Sequence, residues 1–105
     1  MMRHTRIYMI FFDYGEQDYV PCTMCNKRSV DTHHLDRRGM GGSKEKDFIE
    51  NLAGLCREHH IKAEAEPDFN EMVKFRHMKR VMANLKSGYK NLKKHNLEKW
   101  CLTQI

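Results

Sequence analysis

Cys22-Thr-Met-Cys25, then Val30-Asp-Thr-His33-His34-Leu35, then Asn51, then Cys56-Arg-Glu-His59-His60 is the stretch on which the fold turns. The pairs Cys22/Cys25 and Cys56/His59 share one two-residue gap and lie roughly 30 residues apart. One pair sits on a turn after Pro21 and the other at the start of a predicted helix, a pattern that clips a tetrahedral zinc ion. A disulfide framework would need an oxidising compartment, and nothing in the sequence points to one. A redox Cys-x-x-Cys belongs in a strand-helix-strand setting, which Pro21 and the polar residues after Cys25 do not supply. The expected structural zinc ligands are therefore Cys22, Cys25, Cys56 and His59. The alternative is a core Cys56 and a surface His59. The fourth cysteine, Cys101, stands apart from both pairs.

Working outward, the chain has 105 residues, 40% of them apolar, which suits one domain with a small core. A domain of this size buries only roughly 60–65% of its unfolded surface. A zinc staple adding folding free energy on the order of 10 kcal/mol would then matter. The longest apolar run, from Ile7 to Phe12, is far below the ~20 residues that span a bilayer. The N-terminus lacks the long apolar segment and small-residue cleavage site of a secretory signal. A membrane protein, a disordered chain and a large enzyme are excluded, and a cytoplasmic location is expected.

Residues 1–6 are basic and unpatterned, and the aromatic, β-branched run 7–12 predicts a short strand. A turn follows at 13–16, and then the knuckle. Residues 29–35 predict a hairpin strand, 36–47 a loop, and 48–55 a second short strand. The loop's glycines and Lys44 do not have the spacing of a phosphate-binding P-loop. A helix is expected from Cys56 to about Glu66, ended by Pro67. Phe69, Met72, Val73, Met78, Val81, Met82 and Leu85 then recur at helical spacing. Ser87-Gly88 breaks that pattern, and Tyr89 to Trp100 suggests a second, weaker helix.

A second group of residues lies among the cysteines: His33, His34, Asn51, His60 and Glu64. Neighbouring residues on a strand point to opposite faces, so His33 and His34 cannot share one task unless the strand twists. Neighbouring histidines can divide the work of metal ligand and general base. On a helix beginning near Cys56, His60 is turned away from His59 toward the hairpin. Glu64, four residues on, shares its face. Any one of these histidines alone would be an ordinary polar surface residue.

Taken whole, Cys22-x-x-Cys25, Val30-Asp-Thr-His33-His34-Leu35, Arg38-Gly39-x-Gly41-Gly42-Ser43 and Glu50-Asn51-Leu52-x-x-Leu55-Cys56-x-x-His59-His60 resembles the HNH endonucleases, the zinc-supported ββα-metal type. The resemblance covers about residues 20–66. It departs from the usual four-cysteine finger in having His59 as the last ligand. It implies an α+β fold, with a nuclease domain over 1–67 and a basic helical extension over 68–105. It also implies that His33 and His60 hold the catalytic metal, that His34 is the general base, and that Asn51 steadies loop and base or, as in some members, touches the metal. Glu64 stands where many members carry a further histidine; as a ligand its carboxylate would tilt preference toward Mg²⁺ or Mn²⁺, with an unrelated surface residue as the alternative. The implied reaction is hydrolysis of DNA phosphodiester bonds to 5′-phosphate and 3′-hydroxyl ends. The implied setting is a phage or mobile element, with the enzyme acting in the host cell.

Charge is unevenly placed. Residues 1–67 carry ten basic and eleven acidic side chains, whereas 68–105 carry nine and three. The basic end suggests a polyanion partner, with Lys90, Lys93 and Lys94 as candidate DNA contacts, although a charged helix face is often simply solvated. Arg37, Arg38 and Lys44 in the glycine-rich loop are candidates for flanking phosphates, with a solvated loop as the alternative. Two rival functions remain: a non-catalytic zinc module that binds nucleic acid, and an interaction protein docking through its methionine-rich helix.

Overall fold

The computed structural model describes residues 2–37 and 44–86. It is a small α+β structure of three helices and one two-stranded sheet. Helix α1 spans Arg3–Phe11, strand β1 Asp31–His34, strand β2 Leu52–Leu55, helix α2 Arg57–Ala65 and helix α3 Pro67–Lys86. Short 3₁₀ turns occupy Lys44–Lys46 and Ile49–Asn51.

The strands pair antiparallel in the register Asp31↔Leu55, Thr32↔Gly54, His33↔Ala53 and His34↔Leu52. All four β2 residues are buried. Leu52 joins Tyr8, Phe11, Val20, Ile49 and Val81 in one apolar cluster, while Ala53 and Leu55 join Leu35, Ala63 and Val73 in another. Alternation along the strand thus divides its side chains between two half-cores. The apolar run 48–55 is not one strand: its first half is the turn Ile49–Asn51, and only Leu52–Leu55 pairs.

The N-terminal run also differs from expectation. Residues 7–11 belong to a helix that starts at Arg3, with Phe12 as its C-cap, not to a strand. Its buried positions, His4, Tyr8 and Phe11, are spaced four and three apart, which is one helical face. A six-residue apolar run cannot by itself distinguish strand from helix; here the surface to be covered decided. α1 ends with Asp13 at φ 59°, Asp13 N–H donating to Ile10 O at 3.1 Å and Tyr14 N–H to Met9 O at 2.7 Å. This is a Schellman closure with aspartate in the left-handed position where glycine is usual.

Pro67 opens α3, where its missing N–H costs nothing. Val73, His77 and Val81 form the fully buried stripe of α3. Met72 and Met82, which the apolar spacing had placed on that stripe, are exposed, as is Phe75. His77 takes a core position because its Nε2–H donates to Ile49 O at 2.6 Å. Arg80 lies over the Phe12 ring at 4.5 Å and donates to Tyr8 Oη at 2.7 Å, while Asn84 donates to Phe11 O. The first part of the basic extension is thereby built into the core. The predicted break at 87–88 and the helix over 89–100 lie outside the described residues. Among the described residues no helix is long and apolar enough to cross a membrane.

Candidate functional site

Among the described residues, two of the clusters of metal-ligating side chains contain the sequence-predicted ligands and flank β1. In the first, the knuckle after Pro21 and the start of α2 bring Cys22, Cys25, Cys56 and His59 together. Cys22 Sγ lies 3.5 Å and Cys56 Sγ 3.4 Å from His59 Nδ1, and the Cys25 and Cys56 sulfurs are 3.8 Å apart. A zinc tetrahedron with Zn–S of ~2.3 Å and Zn–N of ~2.05 Å has edges of about 3.8 Å between sulfurs and about 3.6 Å from sulfur to nitrogen. These three separations match those edges, and all four ligand atoms lie within 4.8 Å of one another. Burial raises the Cys22 thiol, but hydrogen bonds from the Cys56 backbone, the His59 ring and the Met24 and Cys25 backbone outweigh it and bring it to about 6. At Cys25 the Lys27 amide lowers the pKa, yet desolvation and the neighbouring Cys22 and Cys56 sulfurs win and raise it. Crowded sulfurs cannot all ionise without a cation among them. A Cys₃His cluster of this shape is compatible with structural zinc.

The second cluster lies along β1. His33, His60 and Glu64 offer ligand atoms all within 4.8 Å of one another. His33 and His60 rings pack edge to face with centroids 5.1 Å apart. Burial holds His33 below the ordinary imidazole range, so it is neutral near pH 7. Its Nε2 faces Asn70 Oδ1 at 2.7 Å, and the Asn70 amide is oriented by donating from Nδ2 to Leu35 O at 2.9 Å. Asn70 Oδ1 therefore accepts the Nε2–H, and the neutral ring keeps its lone pair on Nδ1. His60 lies between two carboxylates, with Nδ1 2.9 Å from Asp31 and Nε2 2.8 Å from Glu64. A neutral imidazole has one N–H and cannot donate to both. With His33, the His60 and Glu64 ligand atoms form a grouping that can hold a metal ion. The donor set thus fits a divalent ion, with Asp31 orienting His60 from behind.

His34 points the other way from β1. Its Nε2 is 2.8 Å from Asp47 Oδ1, and the Asp47 side chain is wholly buried. With Nε2–H donated to that carboxylate, Nδ1 carries the lone pair of the neutral ring. His33, His34, His60, Glu64, Arg37 and Asn70 all line one depression of about 580 Å³. Strand alternation separates the two histidines, and the depression wraps the strand's end so that both reach it.

Asn51 is buried and works on the loop. It donates from Nδ2 to Asp36 O at 2.9 Å and to Lys46 O at 3.0 Å, and accepts at Oδ1 from Asp36 N–H at 2.6 Å. It thereby ties Asp36 to Lys46, the two flanks of the glycine-rich segment. Arg37 is exposed and donates to Glu64 O at 3.3 Å. Arg38, the Lys44 side chain, Lys90, Lys93 and Lys94 lie outside what the structure describes. Among the earlier basic residues, Lys74, Arg76 and Lys79 are exposed.

Sequence reasoning missed Asp31, Asp47 and Asn70 as partners of the three histidines, and His4, whose ring packs on His34 with centroids 4.7 Å apart. Asp31 carried a faint signal, two residues before His33. Asn70 and His4 carried none, because their neighbours lie more than 25 residues away in sequence. Compared with protein-family models, curated proteins and solved structures, the chain has no significant match.

Proposed function

We propose that the chain is a metal-dependent DNA endonuclease of the HNH type, with a zinc-clipped ββα-metal arrangement formed by β1, β2 and α2. The observation that carries this reading is the convergence of His33, His60 and Glu64 within ligand distance of one another, with His34 opening onto the same depression. A binding module has no need of that set.

In this reading a water in the depression gives its proton to His34 Nδ1 as it attacks phosphorus. Asp47, accepting from Nε2–H, fixes the ring's orientation and tautomer. Transfer to a placed base of this kind contributes ~10²–10⁴-fold. His33, His60 and Glu64 would hold a divalent ion, which would supply Lewis-acid stabilisation to the scissile phosphate. Asp31 and Asn70 hold the two ligand rings in register. Arg37, exposed at the rim, is placed to meet a flanking phosphate. Exposed lysines of α3, followed by Lys90, Lys93 and Lys94, would add backbone contacts that read little sequence.

The test is cleavage of plasmid DNA by the purified chain with Mg²⁺ or Mn²⁺, with and without chelator, beside His34→Ala. Metal-dependent cleavage that the variant loses, with zinc content and fold unchanged, supports the reading. DNA binding without cleavage under every metal condition favours the non-catalytic zinc module instead. Charge reversal at Lys90, Lys93 and Lys94 should weaken DNA binding at low salt. Each lost phosphate contact should also flatten the log-log salt slope by about 0.9.

A further inference from the structure

We propose that His4, His34 and Asp47 form a second divalent-metal site, suited to a borderline ion such as Zn²⁺, and that filling it switches the His34 base off. The switch rests on the reading of His34 as base; the site does not.

The site is made by three separate elements: α1 brings His4, β1 brings His34, and the segment before Ile49 brings Asp47. The ligand atoms of all three lie within 4.8 Å of one another. His34 Nε2 and Asp47 Oδ1 are already 2.8 Å apart. Ligands at ~2.0–2.1 Å around a tetrahedral ion stand roughly 3.3 Å apart, a spacing that lies between the 2.8 Å of this pair and the 4.8 Å within which all three atoms fall. The other Asp47 oxygen, Oδ2, is met by Arg3 Nε at 3.6 Å, leaving Oδ1 as the carboxylate atom directed at the histidines. Two imidazoles and one buried carboxylate favour Zn²⁺ or Co²⁺ over Mg²⁺, which prefers oxygen and keeps its waters. The nearby cluster of His33, His60 and Glu64 is more exposed, with Glu64 on the surface, so the two sites differ in both ligands and access.

Occupancy has a direct chemical consequence. Without the ion, neutral His34 carries its proton on Nε2, shared with Asp47, and its lone pair on Nδ1. An ion that takes Nε2 displaces that proton, and the neutral ring then carries its one proton on Nδ1. The proton has moved from one nitrogen to the other through solvent; none is gained or lost by the ring. Nδ1 has become a donor and can no longer accept from water. Excess zinc would silence the enzyme through a residue, His4, that takes no part in the cleavage step.

The binding test uses the full chain, zinc already in its cysteine cluster, carrying His60→Ala to remove the first site. Titration with Co²⁺, followed by calorimetry and visible absorption, should show one further ion per chain. Adding His4→Phe, which keeps a ring against His34 but no donor nitrogen, should abolish it. Exchange into the cysteine cluster is recognised by its sulfur-to-metal charge-transfer band. If the His60→Ala chain takes no further ion, or the His4→Phe change leaves its binding untouched, the site is wrong whether or not the protein cuts DNA. The activity test adds Zn²⁺ to cleavage under saturating Mg²⁺. The unaltered chain should slow by roughly 10²-fold, the scale on which a base acts. His4→Phe should cut at the unaltered rate without zinc and resist zinc inhibition. Equal inhibition of both chains assigns zinc's effect to the first site, and acceleration by zinc reverses the role; either result overturns the switch. A chain that binds the second ion but never cuts DNA removes the nuclease reading, and the switch with it.

Discussion

The cysteine cluster gathers beyond the Asp31–Leu55 end of the β1–β2 ladder, and the histidine cluster runs toward the His34–Leu52 end. The two ends are assembled on different principles. Each half of the cysteine cluster is a local pair on a tight turn or a first helical turn, so only one long-range join is needed. Each imidazole of the other cluster is held by a partner of its own: His60 by Asp31, His33 by Asn70, His34 by Asp47. Those partners are 29, 37 and 13 residues away, and one belongs to α3. A metal that completes a local pair can organise the fold, whereas rings aimed by distant partners must wait for the fold to form. The cysteine end should therefore govern stability and the histidine end activity.

The sharpest way to break this contrast is Cys56→Ser. Loss of one zinc ligand should remove folding free energy on the order of 10 kcal/mol and leave the chain largely unfolded, lacking zinc by metal analysis and helix by circular dichroism. A folded, zinc-free Cys56→Ser chain would show the cluster to be ornamental. His60→Ala is the matching change at the other end. On the proposed nuclease reading, it should keep zinc and fold while losing the Lewis-acid contribution, several kcal/mol or on the order of 10³-fold in cleavage rate.

The histidine end should also be the one that acid loosens through the core. His77 is buried against Ile49, just before Asn51, and burial lowers its pKa to about 4, against a weaker raising effect of the Ile49 hydrogen bond. The unfolded chain binds this proton near pH 6.5 and the folded chain only near 4. The stabilising contribution is therefore complete at neutral pH and is lost as pH falls from 6.5 through 4. Its full size is about 3 kcal/mol. Urea midpoints of the parent and His77→Leu between pH 7 and 4.5 should converge, because acid sensitivity of the zinc ligands is common to both. Parallel pH dependences would remove His77 from the account.

A smaller effect separates aiming from ligation. Asn70→Leu leaves every ligand of His33, His60 and Glu64 in place but frees the His33 ring. Affinity for Mn²⁺ should fall about 10–100-fold, the usual cost of losing an orienting partner. Calorimetry on zinc-loaded protein would reveal it, and an unchanged affinity would make Asn70 a packing residue only. Smallest of all, Asp13→Gly relieves a left-handed aspartate at the end of α1. It should raise stability by ~0.5 kcal/mol, offset in part by glycine's own chain entropy, with zinc content unaltered.

Much of the molecule was legible before any coordinates. Cys22, Cys25, Cys56 and His59 declared themselves because a metal cluster needs fixed residue types at fixed short gaps, and such gaps are visible in one dimension. The extent of α2, its end before Pro67 and the shared face of His60 and Glu64 follow from local rules of the same kind. What tertiary structure alone decided was of another sort. Residues 7–11 became part of a helix because a helical face of His4, Tyr8 and Phe11 covers the sheet, a surface that the run itself does not describe. His77, not Met72 or Met82, joined Val73 and Val81 on the buried stripe of α3, where Ile49 O accepts its N–H. Asp31, Asp47 and Asn70 found their histidines only once the hairpin, the loop and α3 had closed on one another. Ligand identity is written in sequence because it depends on chemistry at each position; orientation is not, because it depends on neighbours that the chain supplies only after it has folded.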